Sequence, residues 1–356
     1  MVFHLGQGIP NFSIVPGLYS YPLISNGFRG VDLFFILSGF IMMHAHAKDF
    51  EHVDLESVRR FALLRMFRIY PVNFAALLII LATCIALPDY VGWFRSWTSK
   101  ISLESYTPLS FLQTATLSNR WLIPDFGLWN IVTWSLSVEL LAYLILPFLA
   151  FLLLKIRSPG RCLFVAVSSL TVMIALLLAF HNWTGDSVTR LGILRGFGGF
   201  IAGAAMRRYV SLAPGHDHAA GWVALASVAM IGVLFMLPSF TILMPFAFAA
   251  LISSLSYQQG IVNSLLSSSP IVFLGRISFS LYLVHYTPLA VLEWLFVSEF
   301  LPDTTAVVLT SITAYAATVL LLSIILYYTV ERPCQRLGHV LVRRPKLGVQ
   351  AQEDAR

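Results

Sequence analysis

Apolar residues in this chain come in long blocks and do not alternate. Stretches of roughly 17–25 residues with few charges recur from end to end, which is the length an α-helix needs to cross the hydrocarbon core of a bilayer. We place spans at residues 31–46, 72–87, 128–154, 162–181, 189–206, 221–237, 240–257, 271–296 and 305–330, about nine full helices. Residues 1–5 look like the last turn or two of a further helix whose beginning is absent. The expected fold is therefore all-α, a polytopic transmembrane helical bundle of about ten helices with the first one truncated. It forms one domain, residues 1–338, followed by a polar tail, 339–356. The opening residues Met1 to Gly6 lack the basic region and apolar run of a secretory signal, so the internal spans are expected to drive insertion.

Composition agrees with this pattern. The chain is 58% hydrophobic and 11% charged, against about 45–50% and 25% for soluble domains. The net charge of +6 does not point to nucleic acid, because the basic residues sit in short clusters between apolar spans. Lys48, Arg59, Arg60, Arg65 and Arg68 follow the first full span; Lys155, Arg157 and Arg161 follow the third; Arg207 and Arg208 follow the fifth; Arg332, Arg336, Arg343, Arg344 and Lys346 follow the last. If the spans alternate, all four clusters lie on one side, which the positive-inside rule makes cytoplasmic, with the C-terminus, in a bacterial inner membrane. The opposite loops carry few basic residues. The longest, 92–127, contains Trp93, Trp97, Trp121 and two prolines, as an interfacial segment covering a substrate site would. Cys84, Cys162 and Cys334 match no zinc spacing and are read as packing residues.

A charge inside lipid costs about 2.5–3.5 kcal/mol on insertion scales and needs either a partner or a function. Glu139, in Thr133-Trp134-Ser135-Leu136-Ser137-Val138-Glu139, lies well inside its span among serines. It is either a structural carboxylate paired with an arginine or a catalytic or orienting one. Asp32 opens its span near the outer end, where it can serve chemistry or cap the helix. His4, on the outer side, can act as general base toward a hydroxyl or be a bland interfacial residue. Arg65 and Arg68 share one helical face at the cytoplasmic boundary and can bind phosphates or anchor lipid headgroups. His285 is a second histidine candidate, with a helix-to-helix hydrogen bond as its alternative. Ser38, Gly39 and the series Gly192, Gly196, Gly199 and Gly203 read as close helix packing. The pairs His44 with His46 and His216 with His218 have too few neighbouring ligands for a metal, so none is expected.

In order along the chain, five motifs resemble the bacterial integral-membrane acyltransferase family called acyltransferase-3, in particular its stand-alone exopolysaccharide acetylating members. They are Gly30-Val31-Asp32-Leu33-Phe34-Phe35-Ile36-Leu37-Ser38-Gly39-Phe40, Arg65 to Pro71, Trp134 to Glu139, Leu274 to His285, and Glu331-Arg332-Pro333. The resemblance covers nearly the whole chain and makes residues 1–338 a single membrane acyltransferase domain. It implies about ten transmembrane helices, acetyl-CoA or another acyl-CoA as a cytoplasmic donor substrate, no metal, and a glycan or lipid-linked saccharide acceptor reached from the other side. His4 matches the first-helix histidine regarded as catalytic in such proteins. Arg65 and Arg68 would contact the CoA phosphates, and Glu139 would support the histidine or the acceptor. Family members usually carry a basic residue about three helical turns before that histidine, and this sequence starts too late to contain it. A misassigned start is the favoured explanation, with an inactive truncated copy as the alternative. From a different class, a glycan or lipid flippase accounts for the helices and Glu139 but not for the ordered motifs.

Overall fold

The computed structural model describes residues 20–99, 106–121, 129–180, 191–213, 217–302 and 304–342. Among these residues all regular structure is helical. Following a short helical turn at Pro22–Ser25, the helices are α1 (Gly30–His46), α2 (Leu55–Ala86), α3 (Pro88–Ser99), α4 (Pro108–Thr116), α5 (Thr133–Leu154), α6 (Pro159–Ala179) and α7 (Gly192–Leu212). They continue as α8 (Asp217–Met236), α9 (Met244–Leu255), α10 (Gly260–Leu266), α11 (Ser269–Val284), α12 (Tyr286–Val297), α13 (Thr305–Leu326) and α14 (Arg332–Val342). Among the described residues seven segments are long and apolar enough to cross a membrane, or eight if α10 and α11, bent by 64°, count as one. The chain is a multi-pass membrane protein.

Helix α7 was expected as an ordinary span, and the structure gives it a different surrounding. It is not among the seven apolar segments, because five glycines and three arginines interrupt it. Its apolar demand is low since other helices enclose it: Arg195, Gly196, Gly199, Phe200, Ala202 and Gly203 are all buried. Helix α8 is the opposite case. Trp222, Val223, Leu225, Val228, Met230, Val233 and Met236 point outward, as a lipid-facing helix requires.

Glycines set how closely α1 and α7 approach. A Cβ added at Gly39 would drive into the Phe200 carbonyl, and one at Gly203 into the Ile36 carbonyl. At Gly199 it would meet Phe35, and at Gly196 the side chain of Val138 on α5. The backbones of α1 and α7 are therefore in direct contact, as small-residue spacing predicts for helices in lipid.

Two prolines explain where span boundaries differ from expectation. The apolar run that marks the second span is expected at 72–87, just after Pro71. Instead α2 begins at Leu55, capped by the Asp54 side chain, which accepts from the Ser57 amide at 2.8 Å, and runs through Pro71. Its 32 residues extend about 48 Å, well beyond the roughly 30 Å hydrocarbon core, so its first turns stand clear of the apolar layer. The span expected at 271–296 is broken at His285. Pro288 has no amide for the Val284 carbonyl and would collide with it, so α11 stops and α12 starts afresh. The carbonyls freed by the break find other donors. Asn130 Nδ2 donates to Leu283 at 2.8 Å, His285 Nδ1 to Tyr282 at 2.8 Å, and the Tyr315 hydroxyl to His285 at 3.1 Å.

The helix ends that carry basic loops are gathered together. Arg207 at the end of α7 donates to His44 at the end of α1 (2.9 Å), and Arg208 donates to the carbonyls of Leu154 and Ile156 after α5. The Tyr257 hydroxyl reaches the Ala213 carbonyl at 3.0 Å. After a π-helical turn at Tyr327–Glu331, α14 lies against the early turns of α2, with Gly338 on Phe67, and runs to Val342, past the expected start of the tail at 339.

Replacing Gly39 or Gly203 with leucine is expected to exceed the roughly 1–3 kcal/mol typical of overpacking, because the obstacle is backbone and cannot rotate away. At Gly232 an added Cβ meets nothing within 4 Å, so Gly232→Ala is expected to be neutral or stabilising by up to about 1 kcal/mol. Thermal melting in detergent checks both, and a Gly203→Leu protein that melts with the wild type would contradict the contact.

Candidate active site

Three of the residues singled out in the sequence come together around Glu139. The motif Trp134 to Glu139 forms the first turns of α5, and Glu139 faces the bundle interior with 4% of its surface exposed. One carboxylate oxygen accepts from the Ser38 hydroxyl and from the Tyr143 hydroxyl, each at 2.5 Å. Tyr143 sits one turn further along the same face of α5, the i, i+4 relation. Ser38 comes from α1, where its neighbour Gly39 holds the helix against α7.

Helix α2 adds the arginine pair. Arg65 lies within electrostatic reach of Tyr143 and Glu139, and its Nη1 meets the Met42 sulfur at 3.4 Å. Arg68, one turn on and exposed, lies within electrostatic reach of Glu139 and of a second buried carboxylate, Glu331. Glu331 ends the π-helical turn and accepts from the Ser280 hydroxyl at 2.7 Å and from Gln335 Nε2 at 3.1 Å. Among the described residues no arginine forms a direct ion pair with Glu139. Hydroxyls satisfy the carboxylate while two guanidinium groups bias its surroundings from a distance. Such a carboxylate can orient a base or take a proton, and the arginines can meet phosphate oxygens.

Asp32 lies in a separate cluster. Its oxygens face Arg195 Nε at 2.7 Å and Arg29 Nη1 at 3.6 Å. All three residues are at most 2% exposed. Arg195 also donates to the Phe28 carbonyl at 3.3 Å and lies over the rings of Phe28 and Trp134, while Arg29 Nη2 meets the Thr241 hydroxyl at 3.4 Å. Asp32 does not cap its helix. The N-cap position is Arg29, without a side-chain cap bond, and the carboxylate is held by arginines instead. Among the described residues one carboxylate thus meets two guanidiniums, which ties the start of α1 to α7.

Tyr282 connects the two clusters. Its hydroxyl bonds Ser135 Oγ at 2.7 Å and the Val132 carbonyl at 2.9 Å, and it is close enough to sense the charges of both Glu139 and Arg195. His285, three residues on, directs Nδ1 to the Tyr282 carbonyl of its own segment. His4 and His216 lie outside the described residues. Among the described residues no three potential metal ligands gather.

Sequence reading missed Arg29, Arg195 and Glu331. Arg195 was detectable, being a charge inside an apolar span, but the glycines around it drew the whole helix into a packing role. Glu331 was quoted as a motif residue with no role, because nothing in the sequence shows the π turn that aims it at Ser280.

A family model described as an acyltransferase domain matches residues 1–328. No curated protein and no solved structure matches the chain.

Asp32→Asn takes the shared carboxylate from two buried arginines and is expected to cost roughly 3–5 kcal/mol. Arg195→Met leaves Asp32 with Arg29 at 3.6 Å and is expected to cost less. The double variant should lose less than their sum, by a coupling of about 0.5–3 kcal/mol. A double-mutant cycle from unfolding in detergent measures this, and strict additivity would deny the pair.

Proposed function

The chain belongs to the acyltransferase-3 family, and on that premise we propose that this membrane acyltransferase moves an acetyl group from acetyl-CoA onto a hydroxyl of an extracytoplasmic or lipid-linked glycan, such as an exopolysaccharide or O-antigen. The observation that carries the reading is the convergence of the partly buried Arg65 and exposed Arg68 on the buried polar group Ser38, Tyr143 and Glu139. A lipid anchor does not need a carboxylate held by two hydroxyls beside its arginines, whereas a donor with phosphates at one end and a thioester at the other fits both features.

The end of the bundle that gathers Arg207, Arg208 and α14 faces the cytoplasm of a bacterial cell, with the C-terminus, by the positive-inside rule. Acetyl-CoA enters there with its phosphates on Arg65 and Arg68. His4 takes the proton of the acceptor hydroxyl as its oxygen attacks the thioester carbon. The carbon–sulfur bond breaks, the O-acetyl ester forms, and the CoA thiolate recovers a proton to leave as the thiol. Glu139 supports the histidine or orients the acceptor.

Transfer of label from acetyl-CoA into glycan in membranes tests the proposal. His4→Ala is expected to lower it about 10²–10⁴-fold, the usual contribution of a general base; undiminished transfer removes His4 from the mechanism. Arg65→Ala and Arg68→Ala are expected to raise the KM for acetyl-CoA by roughly tenfold or more through lost charge-assisted hydrogen bonds. A wild-type protein that does not bind acetyl-CoA would instead favour the flippase.

A further inference from the structure

Glu293 on α12 is a second intramembrane carboxylate that the mechanism above does not use. It is 6% exposed, and among the described residues it makes no hydrogen bond and no ion pair. The other interior carboxylates differ in this respect: Asp32 has arginines, Glu139 has two hydroxyls, and Glu331 has a hydroxyl and an amide. A carboxyl group with no protein partner inside a membrane bundle keeps its hydrogen-bonding capacity open to an incoming ligand.

Its surroundings narrow the identity of that ligand. Tyr286 and Ala290 precede Glu293 by seven and three residues on the same face of α12 and pack in one cluster with Tyr90 and Trp294, and Tyr90, Tyr286 and Tyr315 all lie within electrostatic reach of Glu293. Tyr90 belongs to an aromatic cluster on the segment between α2 and α5. Its ring lies 6.1 Å from Trp294 and 5.8 Å from Phe94, and its hydroxyl bonds that of Tyr106 at 2.8 Å. Burial pushes the Tyr90 phenol up, so it stays a neutral hydrogen-bond donor. A carboxylate that accepts, phenols that donate and accept, and ring faces that cover C–H surface are the groups a polyhydroxylated ring uses. A cationic headgroup would use the carboxylate and the rings but not the phenolic donors. The position also fits: α12 begins at the break after Tyr282, the residue that joins the two polar clusters, and packs on α3, away from the end that gathers the basic loops.

We propose that Glu293, with Tyr90 and Tyr286 beside it, is a saccharide subsite in which the carboxylate accepts hydrogen bonds from ring hydroxyls of the acceptor. This rests on the acyl-transfer reading for its purpose, but not for its binding chemistry.

The full chain in nanodiscs, followed by tryptophan fluorescence, tests it with methyl glucoside, methyl galactoside, methyl mannoside and N-acetylglucosamine as probes and choline chloride as the cationic control. The wild type is expected to show saturable quenching by at least one sugar and none by choline. Glu293→Ala should weaken sugar binding about tenfold or more, and Glu293→Gln, which keeps one acceptor oxygen, should weaken it less. Acetyl-CoA binding by calorimetry should persist in both variants, which shows that they are folded, while transfer to glycan falls through a higher acceptor KM. Wild-type affinity for the sugars in both variants overturns the subsite, as does quenching by choline alone or by no sugar. Absent acetyl-CoA binding in the wild type would sink the acyl-transfer reading and leave the sugar result to stand or fall by itself.

Discussion

Contact between the backbones of α1 and α7 positions both polar clusters. Gly39 and Gly203 leave no room for a Cβ between the helices, so the two axes are fixed in separation and register. At one end of this contact Asp32 on α1 is delivered to Arg195 on α7 at 2.7 Å. Two turns deeper, Ser38 is turned toward Glu139 on α5 at 2.5 Å. In lipid no hydrophobic force presses helices together, and close packing with interhelical polar bonds must supply the association. Here one interface supplies both. A side chain wedged into it would move two sites at once, which ties integrity of the fold to integrity of the chemistry.

The interior carboxylates form a graded series, and the grading separates structural from functional roles. Asp32, held between two guanidiniums, is the most fully compensated. Removing the carboxylate takes the shared partner from two buried arginines, so this group is committed to holding helices together. Glu139 and Glu331 are satisfied by neutral donors, with Arg68 near both. Neutral donors hold a carboxylate in place without cancelling its charge, which leaves it able to act on a base or a ligand. Glu293 has neither kind of partner among the described residues.

The sequence made the architecture and much of the site legible because lipid imposes strong rules. Apolar blocks of spanning length, basic loops on alternate connections and the small-residue face of α7 are direct consequences of those rules. Glu139 stood out because a carboxylate in a span is costly, and Arg65 with Arg68 because of their spacing. Proline effects were less legible. Pro71 suggested a boundary and proved to be inside α2, whose neighbours hold it straight through the defect, whereas Pro288 gave no clear warning and breaks a helix. The difference lies in whether the freed carbonyls find donors elsewhere, and that depends on Asn130 and Tyr315, which are distant in sequence. Arg195 and Glu293 escaped notice for a related reason. Each lies in a stretch whose overall character, glycine-rich or apolar, obscured the single charged position.

Irregular backbone inside a membrane is tolerated only where protein covers it or a polar cavity meets it. The two irregularities here fall at the places where site residues cluster. The break at His285 falls between Tyr282, which bonds Ser135 and Val132, and the α12 face that packs Tyr286 and Ala290 against Tyr90. The π turn at Tyr327–Glu331 adds a residue to the helical register and brings Glu331 to Ser280 on α11. Single π turns are inserted mostly where function needs a side chain out of its regular position. Helix α11 thus takes the Glu331 carboxylate at Ser280, about one turn before the break that frees its carbonyls. A straight, uninterrupted pair of helices would be easier to place in lipid but would leave no carbonyls for Asn130 and Tyr315 to meet. The departures from regular helix are what let distant segments of the chain bond to one another inside the bundle.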